Sequence, residues 1–268
     1  MSHRSEAGQS ERSYSRGLIL TFHKTQPSFS FGASNYSPTR LERLLRLLQH
    51  RGFSFVSVKD AITNGKPTDL AVTFDDGYAH LAGVLPKLMD TYGIKPTIFM
   101  PTAYIGQNNG WDYSSVFQNA PHLDEATIRD LAKTGVEFGT HGHQHIDLSR
   151  CSSADLAEEL RQSKSLLESI LGTPVSSISY PFGRVNEAIV EQARAAGYMF
   201  GFTMKFPTAA DRSLAIGRLP IYGYDTPFSV RQKVERGVCY KVERIKSGIT
   251  SRLSGGTSLW HRLSGRNQ

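Results

Sequence analysis

Leu70-Ala71-Val72-Thr73-Phe74-Asp75-Asp76-Gly77-Tyr78 is an apolar run that carries two adjacent carboxylates into a glycine turn. Side chains alternate faces along a strand. Once Gly77 bends the backbone, one carboxylate can bind a cation while its neighbour stays free as a base. Two adjacent like charges resist joint ionisation unless a cation neutralises them, so separate roles are expected. Asp and Gly are common at strand-ending turns in any case, and the weight of this pair comes from the rest of the chain.

Working outward, apolar runs of strand length recur at Leu18 to His23, Phe53 to Val58, Leu70 to Asp75, Thr97 to Pro101, Val136 to His141, Ser176 to Pro181 and Met199 to Met204. Each is expected to be followed by a segment of helical period, the alternation of βα units around a parallel sheet. Helices are expected from Pro38, with Leu41, Leu44, Leu45 and Leu48 as one apolar stripe and Gly52 beyond its end, and from about Tyr78 to Tyr92. Further helices are expected from Asp124 to Gly135, from Ser153 to Leu171 and from Asn186 to Ala196. Seven or eight such units favour an α/β fold of the closed (β/α) barrel type, and no Gly-x-Gly-x-x-Gly follows the first strand to support a nucleotide-binding sheet. Active residues of such a barrel sit at the carboxyl ends of its strands, where His23, Asp75, Asp76, His141 and the run Tyr180-Pro181-Phe182-Gly183 fall.

With 268 residues and 39% apolar content the chain suits one large domain. The expected division is a disordered segment over 1–16, the barrel over 17–228, and a basic helix and tail over 229–268. No apolar stretch approaches the roughly 20 residues of a membrane span. The polar start, Met1 to Arg16, lacks the apolar core of a secretory signal, so the expected location is cytoplasmic. Cys151 and Cys239 show no Cys-x-x-Cys spacing and point to neither a disulfide framework nor a thiolate metal site. Nine Lys and Arg beyond Ser229 face only Glu235 and Glu243, which accounts for the whole net charge of +7. Such a tail is either a solvated terminal helix or a peripheral contact with an anionic membrane or polymer. No nucleic-acid motif accompanies the charge, so nucleic acid is not an expected partner.

Gly139-Thr140-His141-Gly142-His143-Gln144-His145 sets three imidazoles directly behind a strand. His141 and His145, four apart, would face the same way on one helical turn; with Asp76 they make a two-His, one-carboxylate set that leaves positions open for water and substrate. The pair His141/His143 serves instead if the strand continues past Gly142. The same ligand types suit non-haem iron oxygenases, and Asp147, two residues after His145, keeps that reading open.

In order, Thr73-Phe74-Asp75-Asp76-Gly77, His141-Gly142-His143-Gln144-His145 and Tyr180-Pro181-Phe182-Gly183 resemble the polysaccharide deacetylase family, carbohydrate esterase family 4. Gly106 to Asp112 and Gly217-Arg218-Leu219-Pro220 look familial too, and the similarity covers about Gly17 to Tyr224. The resemblance implies a distorted (β/α) barrel of about seven strands and hydrolysis of an N-acetyl group on a sugar. It implies Asp75 as general base, Asp76, His141 and His145 as ligands of a divalent metal, Zn2+ above all, and the backbone N–H of Phe182 as an oxyanion donor, with Tyr180 beside it at the substrate.

Two positions depart from the family pattern. Where the third motif usually reads Arg-x-Pro-Tyr, the Arg position is Ser179, and Arg218 is the candidate to supply the missing charge from another strand. The family's general acid is a His in a late Leu-x-His motif. Leu259-Trp260-His261 matches those letters in a region without strand pattern, whereas His23 ends the first strand as in family members of circularly permuted motif order. In a closed barrel the first strand can lie beside the last, which makes His23 the expected acid. The expected activity is metal-dependent removal of N-acetyl groups from an N-acetylglucosamine-type polysaccharide or oligosaccharide. An amidohydrolase of small C–N substrates and a non-catalytic sugar-binding barrel are the alternatives. Trp111, Tyr113, Phe117 and Tyr224 are candidates for stacking on sugar rings.

Overall fold

The computed structural model describes residues 17–27, 33–109 and 120–253. The expected N-terminal segment, Trp111, Tyr113, Phe117, His261 and the last part of the basic tail lie outside the described residues. All seven expected strands are present as β1 (Leu18–Phe22), β2 (Ser54–Phe55), β3 (Asp69–Phe74), β4 (Thr97–Met100), β5 (Glu137–Thr140), β6 (Ser177–Ser179) and β7 (Phe200–Phe202), joined by a short β8 (Leu219–Pro220). They pair in parallel in the order β7-β6-β5-β4-β3-β1-β8, with β2 alongside β3.

Parallel neighbours need crossover connections, most of them supplied here by α1 (Pro38–His50), α2 (Val58–Thr63), α3 (Leu81–Tyr92), α4 (Glu125–Lys133), α5 (Ser153–Leu171) and α6 (Glu187–Ala195). Two helices follow β8, α7 (Pro227–Val234) and α8 (Tyr240–Leu253). No helix among the described residues is long and apolar enough to cross a membrane.

The stretch from Ile216 to Pro220 touches both ends of the sheet. Ile216 bridges Phe202 of β7 in parallel, and three residues later Leu219 pairs with Leu20 of β1. This single short connection completes the curl of the strands and sets the first strand beside the last.

Alternation then sorts the side chains. Leu20, Phe22, Leu70, Val72, Phe74, Ile98 and Met100 point outward to the helices, where they share the largest core cluster with Leu41, Leu44, Leu45 and Leu48 of α1 and Leu81, Leu85 and Leu88 of α3. The residues between them, Ile19, Ala71, Phe99 and Phe202, form an inner cluster with Ile216 and with Val58, Ala61 and Ile62 of α2. Above that apolar layer Thr21 Oγ1 meets Thr73 Oγ1 at 2.9 Å, and higher still lie Asp75, Ser179 and Arg218. The interior therefore becomes steadily more polar toward the carboxyl ends of the strands.

Three elements differ from the sequence expectation. The run Phe53 to Val58 does not stay extended, because Ser57 accepts a hydrogen bond from the Asp60 N–H and caps α2. The expected helix at Tyr78 begins only at Leu81, since Tyr78 instead bridges His122 and stacks on its ring. The basic C-terminal region is not wholly solvated: Val230 and Val234 of α7 join the main core, and the buried Lys233 donates to the Pro220 carbonyl at 2.8 Å and to Asp225 at 2.6 Å.

Candidate active site

At the carboxyl end of β3 the two carboxylates part company. Asp75 continues the strand, its N–H bonded to the Phe22 carbonyl at 2.9 Å, and its side chain points into the interior. Asp76 takes φ 70° and Gly77 φ 59°, so the backbone swings through the left-handed region and turns the second carboxylate to the mouth. At Gly77 a Cβ would lie 2.0 Å from Met100 Sδ, so no larger residue fits this bend without moving its neighbour.

Asp75 is fully engaged. Arg218 donates to both of its oxygens, at 2.8 and 2.7 Å, and Ser179 Oγ donates to one of them at 3.1 Å. Arg218 also donates to Ser179 Oγ at 2.7 Å and to the Thr203 carbonyl at 3.2 Å, with its guanidinium over the rings of Phe99 and Phe202. The residue at the family's Arg position and the candidate replacement thus meet on the same carboxylate. Burial alone would raise the Asp75 pKa, but Arg218, then His141 and His23, bring it below the ordinary value.

Among the described residues, Asp76 faces two imidazoles. Its Oδ1 lies 3.5 Å from His141 Nε2 and 3.4 Å from His145 Nε2, and this buried oxygen has no hydrogen-bond partner. One ligand atom from each of the three side chains lies within 4.8 Å of the others, a spacing that fits a single cation. His141 Nδ1 sits 2.7 Å from the Ser179 carbonyl. A carbonyl only accepts, so Nδ1 carries the proton and Nε2 presents its lone pair toward Asp76, the tautomer a metal ligand needs. Burial brings the His141 pKa down to about 4, with Asp75 opposing, so the ring is neutral at pH 7. For Asp76, burial is outweighed by His145, His23 and His141, which hold the carboxyl well below its usual range.

The convergence of His141 and His145 does not come from a helical turn. Residues 141–147 are loop, with Gly142 at φ 73° and His145 at φ 55°, and the two bends fold the second imidazole back over the first. Glu159 of α5 holds this loop. Its buried carboxylate accepts from the His143 N–H at 2.9 Å and from the Gln144 N–H at 3.1 Å. His143 turns instead to Thr102 Oγ1 at 2.9 Å. Asp147 is taken up by Arg184 and by the Ser149 hydroxyl at 2.6 Å. Neither competes for the cluster.

The other expected residues divide. His23, directly past β1, acts electrostatically on both Asp75 and Asp76, and its Nδ1 is buried without a hydrogen-bond partner. Phe182 adopts φ 59°, and its ring meets His145 edge-on with centroids 5.0 Å apart. Tyr180 faces away from the mouth: alternation along β6 sends Ser179 inward and Tyr180 outward, where its hydroxyl donates to the Leu214 carbonyl at 2.8 Å inside a helix-facing core cluster. Tyr224 stacks on Tyr222 and shares a hydrogen bond with Thr250.

Residues not anticipated from the sequence are Glu159, Ser179 as a bridge between Asp75 and Arg218, and His122. The last stacks on Tyr78 with centroids 5.1 Å apart and donates Nδ1–H to the Gln107 carbonyl at 3.0 Å, while its buried Nε2 has no hydrogen-bond partner. For Glu159 a signal was present, an acid among Leu156, Leu160 and Leu167 on the apolar face of a helix.

Comparison with known proteins agrees with this geometry. The family described as polysaccharide deacetylase matches residues 63–201, a span that contains Asp75, Asp76, His141 and His145 but neither His23 nor Arg218. YxkH of Bacillus subtilis (strain 168), placed by its name among polysaccharide deacetylases, is 30% identical over 201 residues, which is 72% of this chain and 66% of that relative. The poly-beta-1,6-N-acetyl-D-glucosamine N-deacetylase of Staphylococcus aureus (strain MRSA252) is 24% identical over 215 residues, 70% of this chain and 72% of that one. A crystal structure of a polysaccharide deacetylase from Bacillus cereus superposes with a TM-score of 0.67 at 25% identity, covering 81% of this chain and 68% of the other. More than half the chain thus follows the family pattern, with the paired aspartates and both imidazoles inside the matched span: the chain belongs to the polysaccharide deacetylase family.

Proposed function

We propose that this protein is a metal-dependent carbohydrate N-deacetylase that removes acetyl groups from an N-acetylglucosamine-type polysaccharide or oligosaccharide. The reading rests on the opposite states of two neighbouring carboxylates. Asp76 Oδ1 faces two imidazole nitrogens without a hydrogen bond, while both oxygens of Asp75 are gripped by Arg218. Asp76, His141 and His145 would hold a divalent cation, and Zn2+ suits two imidazoles and one carboxylate with open positions. Such a cation, when bound, acidifies water and polarises the acyl oxygen.

The chain's own groups do the rest. Asp75, kept ionised and aimed by Arg218 and Ser179, takes the proton of the attacking water. The Phe182 N–H steadies the developing oxyanion. His23 gives a proton to the departing amine, which leaves a free amino sugar and acetate. The name of the Staphylococcus relative supports a poly-N-acetyl-D-glucosamine as substrate class.

The test is metal analysis of the purified protein followed by acetate release from N-acetylglucosamine oligomers. Asp75→Asn is expected to keep the metal and lose turnover, and Asp76→Asn to lose both. Acetate release that survives Asp75→Asn would remove Asp75 as the base.

A further inference from the structure

Exposed large apolar side chains of the described residues are concentrated at the C-terminal end of the chain: Tyr224, Phe228, Val238, Val242, Ile245 and Ile249, with Met199 the one elsewhere. Val242, Ile245 and Ile249 of α8 follow the i, i+3, i+7 spacing that puts them on one face, and they are 61%, 64% and 54% exposed. Lys241 and Arg244 are exposed along one flank of that stripe, and Lys246 lies on the other. Of the two acids of the region, one is buried, and the other is exposed but outside α8 and ion-paired. Glu243 is buried and paired with Lys246 at 2.7 Å, and Glu235 pairs with Arg51 at 2.9 Å. The exposed face of α8 thus joins an apolar stripe to cations and carries no carboxylate among the described residues.

We propose that this face of α8 docks on an anionic lipid bilayer, with Ile245 and Ile249 in the headgroup layer and Lys241 and Arg244 on lipid phosphates. Interfacial helices combine these features, and long basic side chains reach outward from such a stripe to the headgroups. A second copy of the chain fits less well, because a twofold contact across the stripe would set the Lys241 and Arg244 rows close to their own copies. The surface also lies at the functional end of the barrel. Thr250 bonds the Tyr224 hydroxyl at 2.6 Å, and Lys246 reaches Asp225 at 3.3 Å. The second half of α8 is thereby fixed to the loop that leaves the carboxyl end of β8, the end at which Asp75 and Asp76 lie. Docking there would bring the mouth close to a glycan held at the membrane.

The experiment is sedimentation of the full chain with vesicles of phosphatidylcholine alone and of phosphatidylcholine containing phosphatidylglycerol, at low and high salt. Binding is expected only with phosphatidylglycerol and is expected to weaken with salt. K241E/R244E should bind at least on the order of 30-fold more weakly, from about fivefold per basic residue near the surface. I245S/I249S should lose on the order of tenfold or more. Both variants alter exposed side chains and should release acetate from soluble oligomers at the parent rate, so a failure of docking is separable from a failure of the catalytic assignment. Absent binding, equal binding to neutral vesicles, or binding unchanged in both variants overturns the proposal. A concentration-dependent dimer in light scattering that I245S/I249S abolishes overturns it in favour of a second copy.

Discussion

Replacing Arg218 by Met tests the centre of the site. The guanidinium is fully buried, pairs with a carboxylate that is 1% exposed, and makes further hydrogen bonds to Ser179 and Thr203. Methionine fills much of the volume and leaves Asp75 as a buried charge without its counter-ion. Breaking a buried pair from one side costs about 3–5 kcal/mol. At about 2 °C per kcal/mol for a domain of this size, that lowers Tm by roughly 6–10 °C.

The pH dependence should change sign as well. In the parent, the Asp75 pKa is lowered in the folded state, so its contribution is fully present above the ordinary carboxylate value of about 4 and is lost as pH falls through the folded value. Without Arg218 the burial effect dominates and raises the folded pKa. Arg218→Met should then gain stability on acidification from pH 7, where the parent gains none from this group. Thermal melts of the two proteins between neutral and mildly acid pH, with Asp75→Asn and the double variant to close a cycle, measure this directly. A cost below about 1 kcal/mol, or effects of the two changes that simply add, would refute a tight Asp75–Arg218 coupling.

Glu159→Gln should lower metal affinity about 10–100-fold through loss of the anchor under the His143 and Gln144 amides, read by competition with a chromogenic chelator while the fold stays intact by circular dichroism. His23→Ala should abolish turnover with metal content unchanged, and full activity would remove His23 as the acid. Gly77→Ala should destabilise by about 1–3 kcal/mol from left-handed strain alone, plus a steric part that the further change Met100→Ala relieves and the strain part does not. Denaturant melts of the single and double variants separate the two.

Much of this fold was legible because its signals are local. The stripe of Leu41, Leu44, Leu45 and Leu48 announced α1, and all seven apolar runs became strands. The ligand types were legible from three imidazoles behind a strand end. The geometry that unites them was not, because it depends on left-handed backbone at Asp76 and His145, and nothing in those residue types requires φ above zero. Tyr180 misled because its motif position outweighed the parity of the strand: with Ser179 inward, its neighbour had to face out. Glu159 was hidden by distance, since its partners lie in another loop, and only its place on an apolar helix face hinted at burial. The meeting of Arg218 with Asp75 was within reach once the Arg position of the third motif was seen to hold Ser179.

The joint at Ile216 to Pro220 has a bearing on how the protein is made. Synthesis lays down Asp75 early and its partner Arg218 only after most of the polypeptide has emerged, and the contact of β8 with β1 joins Leu219 to Leu20. Long-range closures of this kind form late. A prematurely terminated product would carry the aspartates and imidazoles yet lack the counter-charge that lets Asp75 stay ionised indoors. On the base role proposed for Asp75, hydrolytic competence would wait until translation has passed Arg218, and a chain ending before it is expected to be inert.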